Sequence, residues 1–430
     1  MELLNKLRFL ETNSTPIRVG LVGCGQMGSG LVHVVEKIPG MQIVAVADVD
    51  INRPISTFAQ LRRNNSDSVI TTKLGEAEEG LRHGKLILSE DADLLPGLSQ
   101  LDVVVEATGN PEVGAKIAFQ CINQRKHIVM LNVETDVTVG YALHKLAERA
   151  GCVYSVASGD EPAVCKMLYD FSVSLGFEVI CLGKGKNNPI DIHATPDSCL
   201  EEAASKNMNP QMLASFKDGT KTMVEMAAVS NATGLIPDVP GMHGLEVEYN
   251  DLLNVYIPKF DGGILSHGGR VDYSTGHIAP GVFAIVRTDE PRIQEDMRFV
   301  SMGPGPYYLF FRPYHLCNIE TPLSIAEAFL YHETTVFAEY WASEVVPVAK
   351  RDIQCGDKIG EIGSQDIYHR IYTSQESRRL DSIPMGIAPG ATAKKTILAG
   401  QILTSENVTP DPHRFIYQLR QMQDEMLMPS

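Results

Sequence analysis

The run VGLVGCGQMGSGL, from Val19 to Leu31, constrains this chain more than any other stretch. The segment IRVGLVG is short and rich in Val and Ile, the texture of a strand buried on both faces. Three glycines follow at Gly23, Gly25 and Gly28, and SGLVHVVEKI then repeats apolar residues at helical spacing. MQIVAVAD reads as a second buried strand ending in Asp48, about twenty residues beyond the glycines. Strand, turn, helix, strand and acid in that order predict a dinucleotide-binding unit instead of a bare tight turn. Gly23 permits the turn, Gly25 lets the backbone approach a pyrophosphate, and Gly28 allows close helix packing. Gln26 and Met27 open the helix, whose free N–H groups and positive dipole end face the phosphates.

LDVVVEATGNPEVGAKIA supplies a third strand, whose end places Ala107, Thr108 and Gly109 beneath a nicotinamide, and KHIVMLNVE reads as the next strand. Asp48 can accept from the adenosine ribose hydroxyls, which favours NAD(H). Arg53, Arg62 and Arg63 offer to hold a 2′-phosphate, or are ordinary solvated surface. The expectation is NADP(H) in preference to NAD(H).

A chain of 430 residues holds two or three domains. Its formal charge of -16 argues against an extended nucleic-acid footprint, and any anionic substrate must be held by a local basic pocket. No apolar run is long enough for a membrane helix, and the first residues lack the apolar core of a signal peptide. The eight cysteines form no CxxC pair, so neither a zinc site nor a disulfide framework is expected. These features predict a reduced, cytoplasmic protein.

Beyond Gly151 the texture changes to Gly-, Pro- and Asn-rich loops between apolar segments. CVYSVASGDEPAVCKMLYDFSVSLG predicts a strand, an acidic turn and a helix. Ser158, Asp160 and Glu161 suit a helix cap; Asp160 and Glu161 also suit hard-oxygen ligation of Mg or Mn, or acid–base chemistry. FEVICLGKGKNNPID ends a strand in a loop carrying Lys184 and Lys186, where Gly183 and Gly185 would admit a ligand and a lysine would stabilise an oxyanion. In SFKDGTKTMVEMAAVSNATG, Lys217, Lys221 and Glu225 recur every four residues, which predicts one helical face, with Asp218 beside it. That stripe is either a salt-bridged solvent face or the wall of a pocket on a buried helix. His267, Arg270, His277, Arg312 and His315 are expected to close together around an anionic group such as a phosphate.

VGLVGCGQMGSGL and VVEATG resemble the homoserine dehydrogenase family, although this chain carries Glu134, in LNVETD, where that family has a lysine. The C-terminal stretches VPVAKRDIQCGDKIGEIG and IPMGIAPGATAKKTILAGQILTSENV resemble a SAF domain, through Ala349, Asp352, Gly356, Pro384, Gly386, Ala388 and Gly400. KGKNNPID, KDGTKTMVEM and that tail together resemble the DXR-like (DRL) 1-deoxy-D-xylulose 5-phosphate reductoisomerase-like proteins. The resemblance implies NADPH-dependent rearrangement and reduction to 2-C-methyl-D-erythritol 4-phosphate in isoprenoid biosynthesis. SGDEPA is similar to the Asp-x-Glu metal motif of conventional reductoisomerases, with Asp160 and Glu161 adjacent.

The expected fold class is α/β: an N-terminal Rossmann doubly wound parallel sheet (1–155), an α+β catalytic and dimerisation domain (156–340), and a small β-rich SAF domain (341–430). The partners expected are a small phosphorylated keto-sugar or sugar-acid substrate and further copies of the chain, as a dimer or tetramer. Lys184, Lys186, Lys217 and Lys221 would supply positive charge, and Asp160, Glu161, Asp218 and Glu225 ligation or proton transfer. The alternatives are a dehydrogenase of a hydroxy acid, polyol or branched sugar acid, and a dinucleotide-binding redox regulator without catalysis.

Overall fold

A computed structural model describes residues 2–61, 67–206 and 208–427, so Arg62 and Arg63 lie outside the described residues. The chain divides into two compact units, each assembled from separate stretches. One comprises Met1–Asp160, Leu316–Phe337 and Arg414–Ser430; the other comprises Glu161–His315 and Ala338–His413.

In the first unit seven strands form one sheet: β1 (Ile17–Val22), β2 (Met41–Ala47), β3 (Ser68–Ile70), β4 (Leu86–Ser89), β5 (Val103–Glu106), β6 (His127–Met130) and β7 (Tyr154–Val156). Their order is β3-β4-β2-β1-β5-β6-β7, with every pairing parallel. This is the expected doubly wound sheet. Its strands read as continuous apolar runs because helices cover both faces; Val19, Leu21, Val103, Val105 and Val129 are fully buried in one core. The strand order reverses between β1 and β5, so a crevice opens at their carboxyl ends.

Two later segments complete this unit. The helix Cys317–Tyr331 packs on the helix Gln26–Val35, placing Ile325 and Ala326 in the core with Leu31. The helix Phe415–Leu427 lies on the helices Pro111–Asn123 and Val133–Ala150, where the Phe415 ring centre lies 5.2 Å from that of Phe119 with the rings tilted by 57°, and Gln423 accepts from the Ala142 N–H at 3.0 Å.

The second unit is built on a mixed sheet of β8 (Glu178–Gly185), β9 (Ile236–Pro237), β10 (Arg270–Ser274), β11 (Val282–Arg287) and β12 (Tyr307–Arg312), in the order β12-β11-β8-β10-β9. β8, β10 and β9 run parallel, while β11 is antiparallel to β8 and β12. The helices Glu161–Ser174 and Thr220–Thr233 pack on this sheet. Every residue of Thr220–Thr233 except Lys221 is buried, which its run of small and apolar residues permits. The same unit contains the β-rich C-terminal stretch, with a hairpin of β13 (Ser343–Ala349) and β14 (Ile367–Thr373) paired from Ser343↔Thr373 to Ala349↔Ile367. All eight cysteines are free thiols. No helix among the described residues is long and apolar enough to cross a membrane.

Candidate functional site

The glycine turn shows what each glycine does. Gly23 has φ +92°, and a Cβ there would lie 2.8 Å from the Ala107 carbonyl and 2.9 Å from the Thr108 nitrogen. The loops after β1 and β5 therefore meet backbone to backbone, which requires glycine. A Cβ on Gly28 would collide with the Gly23 carbonyl oxygen, whereas one on Gly25 would enter open space. Gly25 is also the N-cap of the helix Gln26–Val35 and offers no side-chain cap, so the first N–H groups remain available to an anion. Open backbone, unsatisfied donors and a dipole end fit a pyrophosphate.

Asp48 follows β2 directly, and its carboxylate braces the turn by accepting from the Cys24 N–H at 2.6 Å and the Asp50 N–H at 2.9 Å. The half-exposed Arg53 lies 3.7 Å from Asp48 and 3.6 Å from Asp50. On the other side of the crevice Glu106 ends β5 fully buried, accepting from the Thr108 N–H and hydroxyl. Burial pushes its carboxyl up to about 7 against those hydrogen bonds.

In the second unit Lys184, Glu161 and Glu225 converge. The Lys184 ammonium pairs with both Glu161 and Glu225, and all three side chains are buried. Burial alone would lower the pKa of Lys184, but the two carboxylates outweigh it and raise it, so the lysine stays charged. Glu225 is pushed upward by burial and by Glu161, against Lys184 and Lys221. His315 approaches Glu161 at 3.4 Å.

Lys186 follows β8 directly, and its backbone N–H donates to the Ser274 carbonyl at 2.7 Å. Its ammonium donates to the Asn188 carbonyl at 2.8 Å and side-chain oxygen at 2.9 Å. Burial and then the neighbouring Lys184 charge lower it to about 8, against Glu225 and Asp218. A buried permanent cation beside a lysine that releases its proton near neutrality suits stabilisation and protonation of an oxyanion. The Lys184 ammonium already occupies the position between Glu161 and Glu225, so a divalent ion would compete with it for the same oxygens.

Several expectations need correction. Lys217 does not share a helix with Lys221 and Glu225: the helix Pro210–Lys217 ends there, and Gly219 at φ +88° separates it from Thr220–Thr233. Lys217 pairs with Glu202 instead. Gly183 and Gly185 are required by packing on the protein, not by ligand approach. A Cβ on Gly183 would lie 2.7 Å from the Asp272 carbonyl, and one on Gly185 2.6 Å from the Ala279 Cα. The five His and Arg residues do not converge as a group. Arg270 is bound to Asp238, exposed His277 to Glu248, and Arg312 lies over the Tyr314 ring. The structure does not overturn the expected role of Asp160, whose carboxylate accepts from the Cys317 thiol at 3.5 Å.

Asn188, Lys350 and His369 were not singled out from the sequence. Asn188 stands beside Lys186 in KGKNN, a signal available in principle; Lys350 and His369 carry no local signal.

Together, the glycine turn at a strand-order reversal and the buried charge cluster define an NAD(P)-dependent oxidoreductase. The family comparisons refine the class. The model of the homoserine dehydrogenase NAD binding domain matches residues 23–157, and that of the oxidoreductase DRL catalytic domain matches residues 159–321. Each match covers less than half of the chain, and the two segments are similar to these domains. No curated protein sequence matches it. Among solved structures, a DOX-P reductoisomerase in complex with magnesium is 12% identical, covering 74% of this chain and 70% of that one, at a TM-score of 0.42. A scyllo-inositol dehydrogenase from Lactobacillus casei with bound NAD(H) and scyllo-inositol is 14% identical, covering 63% and 73%, at a TM-score of 0.36. Both likenesses are distant.

Proposed function

We propose that this chain is an NADPH-dependent reductoisomerase converting 1-deoxy-D-xylulose 5-phosphate to 2-C-methyl-D-erythritol 4-phosphate. One observation carries the reading: the DRL catalytic-domain match spans the segment in which Glu161, Lys184, Lys186 and Glu225 come together. Rearrangement of a keto-sugar develops negative charge on oxygen, and a preorganised cation in a water-poor site stabilises it far more than water does. Lys184 is that cation, held in place by its two carboxylates. Lys186 protonates the oxygen, because its amine exchanges a proton near neutral pH. A bound reduced nicotinamide supplies the hydride. Arg53 carries the preference for NADPH, through the 2′-phosphate.

A second reading, simple dehydrogenation of a hydroxy acid, polyol or branched sugar acid, is favoured by the Lys184 ammonium itself. With that cation between Glu161 and Glu225, Lys186 alone suffices for proton transfer to a reduced carbonyl, without a metal. The test is NADPH and NADH consumption with deoxyxylulose phosphate, homoserine and a panel of sugar acids, with and without Mg or Mn, followed by product analysis. Oxidation of NADPH by deoxyxylulose phosphate with a rearranged carbon skeleton supports the first reading. Turnover confined to an unrearranged hydroxy acid or polyol supports the second.

A further inference from the structure

The C-terminal stretch of the second unit reaches the charged cluster through one buried side chain. Lys350 follows β13, and its ammonium stands 2.7 Å from the Asp218 carboxylate, 2.7 Å from the Ala194 carbonyl and 2.9 Å from the Ser364 carbonyl. The Lys350 and Asp218 side chains are almost wholly shielded from solvent. Asp218 uses its other oxygen to accept from the Thr220 N–H at 2.9 Å, fixing the start of the helix that carries Lys221 and Glu225. The Thr220 hydroxyl bonds in turn to Nδ1 of His369, on β14, at 3.1 Å. Ala194 belongs to the loop that begins at Lys186 and Asn188; that loop is also tied to the helix preceding Asp218, through the Asp191 N–H and the Lys217 carbonyl at 2.8 Å.

We infer that Lys350 is a positioning residue: it joins the loop after Lys186 to the start of the Glu225 helix, so that the C-terminal stretch is part of the candidate site. The inference rests on the reading that the Lys184–Glu225 cluster is where chemistry occurs. Three oxygens from three segments meet one ammonium, and the segments on both flanks of the cluster share that meeting point. The burial of this lysine has a further physical consequence. Burial raises the pKa of Asp218 and the Lys350 ammonium opposes that rise, while the Asp218 carboxylate favours the protonated form of Lys186. The exposed lysines of the same stretch, such as Lys395, which pairs with Glu406, have no such connection.

The test uses the full chain. Lys350→Met alone leaves Asp218 buried without its partner and risks unfolding. The decisive variant is therefore Lys350→Met/Asp218→Asn, which removes both charges and keeps the volumes. Two measurements are made: the titration of the Lys186 amine, by carbon NMR of isotopically dimethylated lysines, with Lys186→Arg used to assign the signal; and NADPH affinity by calorimetry. The expected result is an unchanged NADPH Kd and a Lys186 midpoint displaced from the parent value, because the loop that holds Lys186 at Asn188 has lost its tie to the helix start, an effect that removing two opposite, mutually compensating charges does not by itself produce. With whichever substrate the parent turns over, kcat should fall at least tenfold while KM changes less than threefold. A Lys186 midpoint that stays at the parent value overturns the inference, as does an unchanged kcat. Should the parent turn over no substrate, the proposed reaction fails while the titration still decides the role of Lys350.

Discussion

Lys184 and Glu225, separated by 41 residues and carried by a strand and a helix, pair in the interior of the second unit, where neither has water to replace the other. Removing one partner leaves an uncompensated buried charge, which costs about 3–5 kcal/mol. Lys184→Met is the severe case, because it leaves Glu161 and Glu225 facing each other. Lys184→Met/Glu225→Gln should be more stable than Lys184→Met in urea unfolding, by at least about 1 kcal/mol. Additive losses would mean that the pair is not coupled. Catalytically, Glu225→Gln should reduce turnover by about two to three orders of magnitude, the scale of one preorganised electrostatic contact.

Lys186 sets a pH limb. Its amine is lowered to about 8, mainly by burial. If it donates a proton to the reduced oxygen, the active form is the ammonium. Turnover is then full below about 8 and falls as pH rises through that value. Lys186→Met should remove about two to four orders of magnitude of turnover, and the limb with it. A profile that rises through pH 8, or a limb that persists in Lys186→Met, would assign the proton to another group.

The parts of this architecture that were legible in the sequence are local. Continuous apolar runs at β1, β2, β5 and β6 and the spacing from Gly23 to Asp48 identify a parallel sheet and a nucleotide turn, because each is written within a few consecutive residues. β3, three residues long and with no buried position, is too short to display a pattern. The face expected from Lys217, Lys221 and Glu225 failed because Gly219 adopts a left-handed conformation and starts a second helix; a spacing of four residues does not reveal such a break. Gly183 looked like a place for a ligand, yet its neighbours Phe283 and Asp272 come from strands about a hundred residues later, which no local pattern announces. Lys350 and the helices Cys317–Tyr331 and Phe415–Leu427 are invisible in the same way, since their roles depend on long-range returns of the chain.

The glycine turn separates two kinds of damage. Gly25→Val points its side chain into open space, so the fold should persist while nucleotide binding is lost by calorimetry. Gly28→Ala forces a methyl against the Gly23 carbonyl and should also destabilise the protein, by about 1–3 kcal/mol. If Gly25→Val binds NADPH normally, this turn is not the phosphate cradle. Arg53→Ala should weaken NADPH by about tenfold more than NADH, the worth of one charge-assisted contact to a phosphate. Equal losses would make Arg53 a brace for Asp48 and Asp50 only.

The last prediction concerns pH and stability. Asp136 is buried, accepts from the Tyr154 hydroxyl at 3.1 Å, and has a second oxygen with no hydrogen-bond partner. Burial raises it from an ordinary 3.8 to about 7, against the tyrosine bond. The folded chain therefore keeps the proton where the unfolded chain has released it. Between pH 4 and 7 the native state binds more protons, so this group's stabilising contribution is complete below its unfolded value and declines as pH rises, levelling off above about 7. The decline is at most about 1.4 kcal/mol per pH unit. Asp136→Asn removes the titration and retains an oxygen for Tyr154. Unfolding free energies in urea should show a flatter pH dependence for the variant from pH 5 to 7, and a stability at pH 8 equal to or above that of the parent. Parallel curves for the two proteins across that range would mean that Asp136 is ionised in the folded state, with its charge compensated inside the first unit.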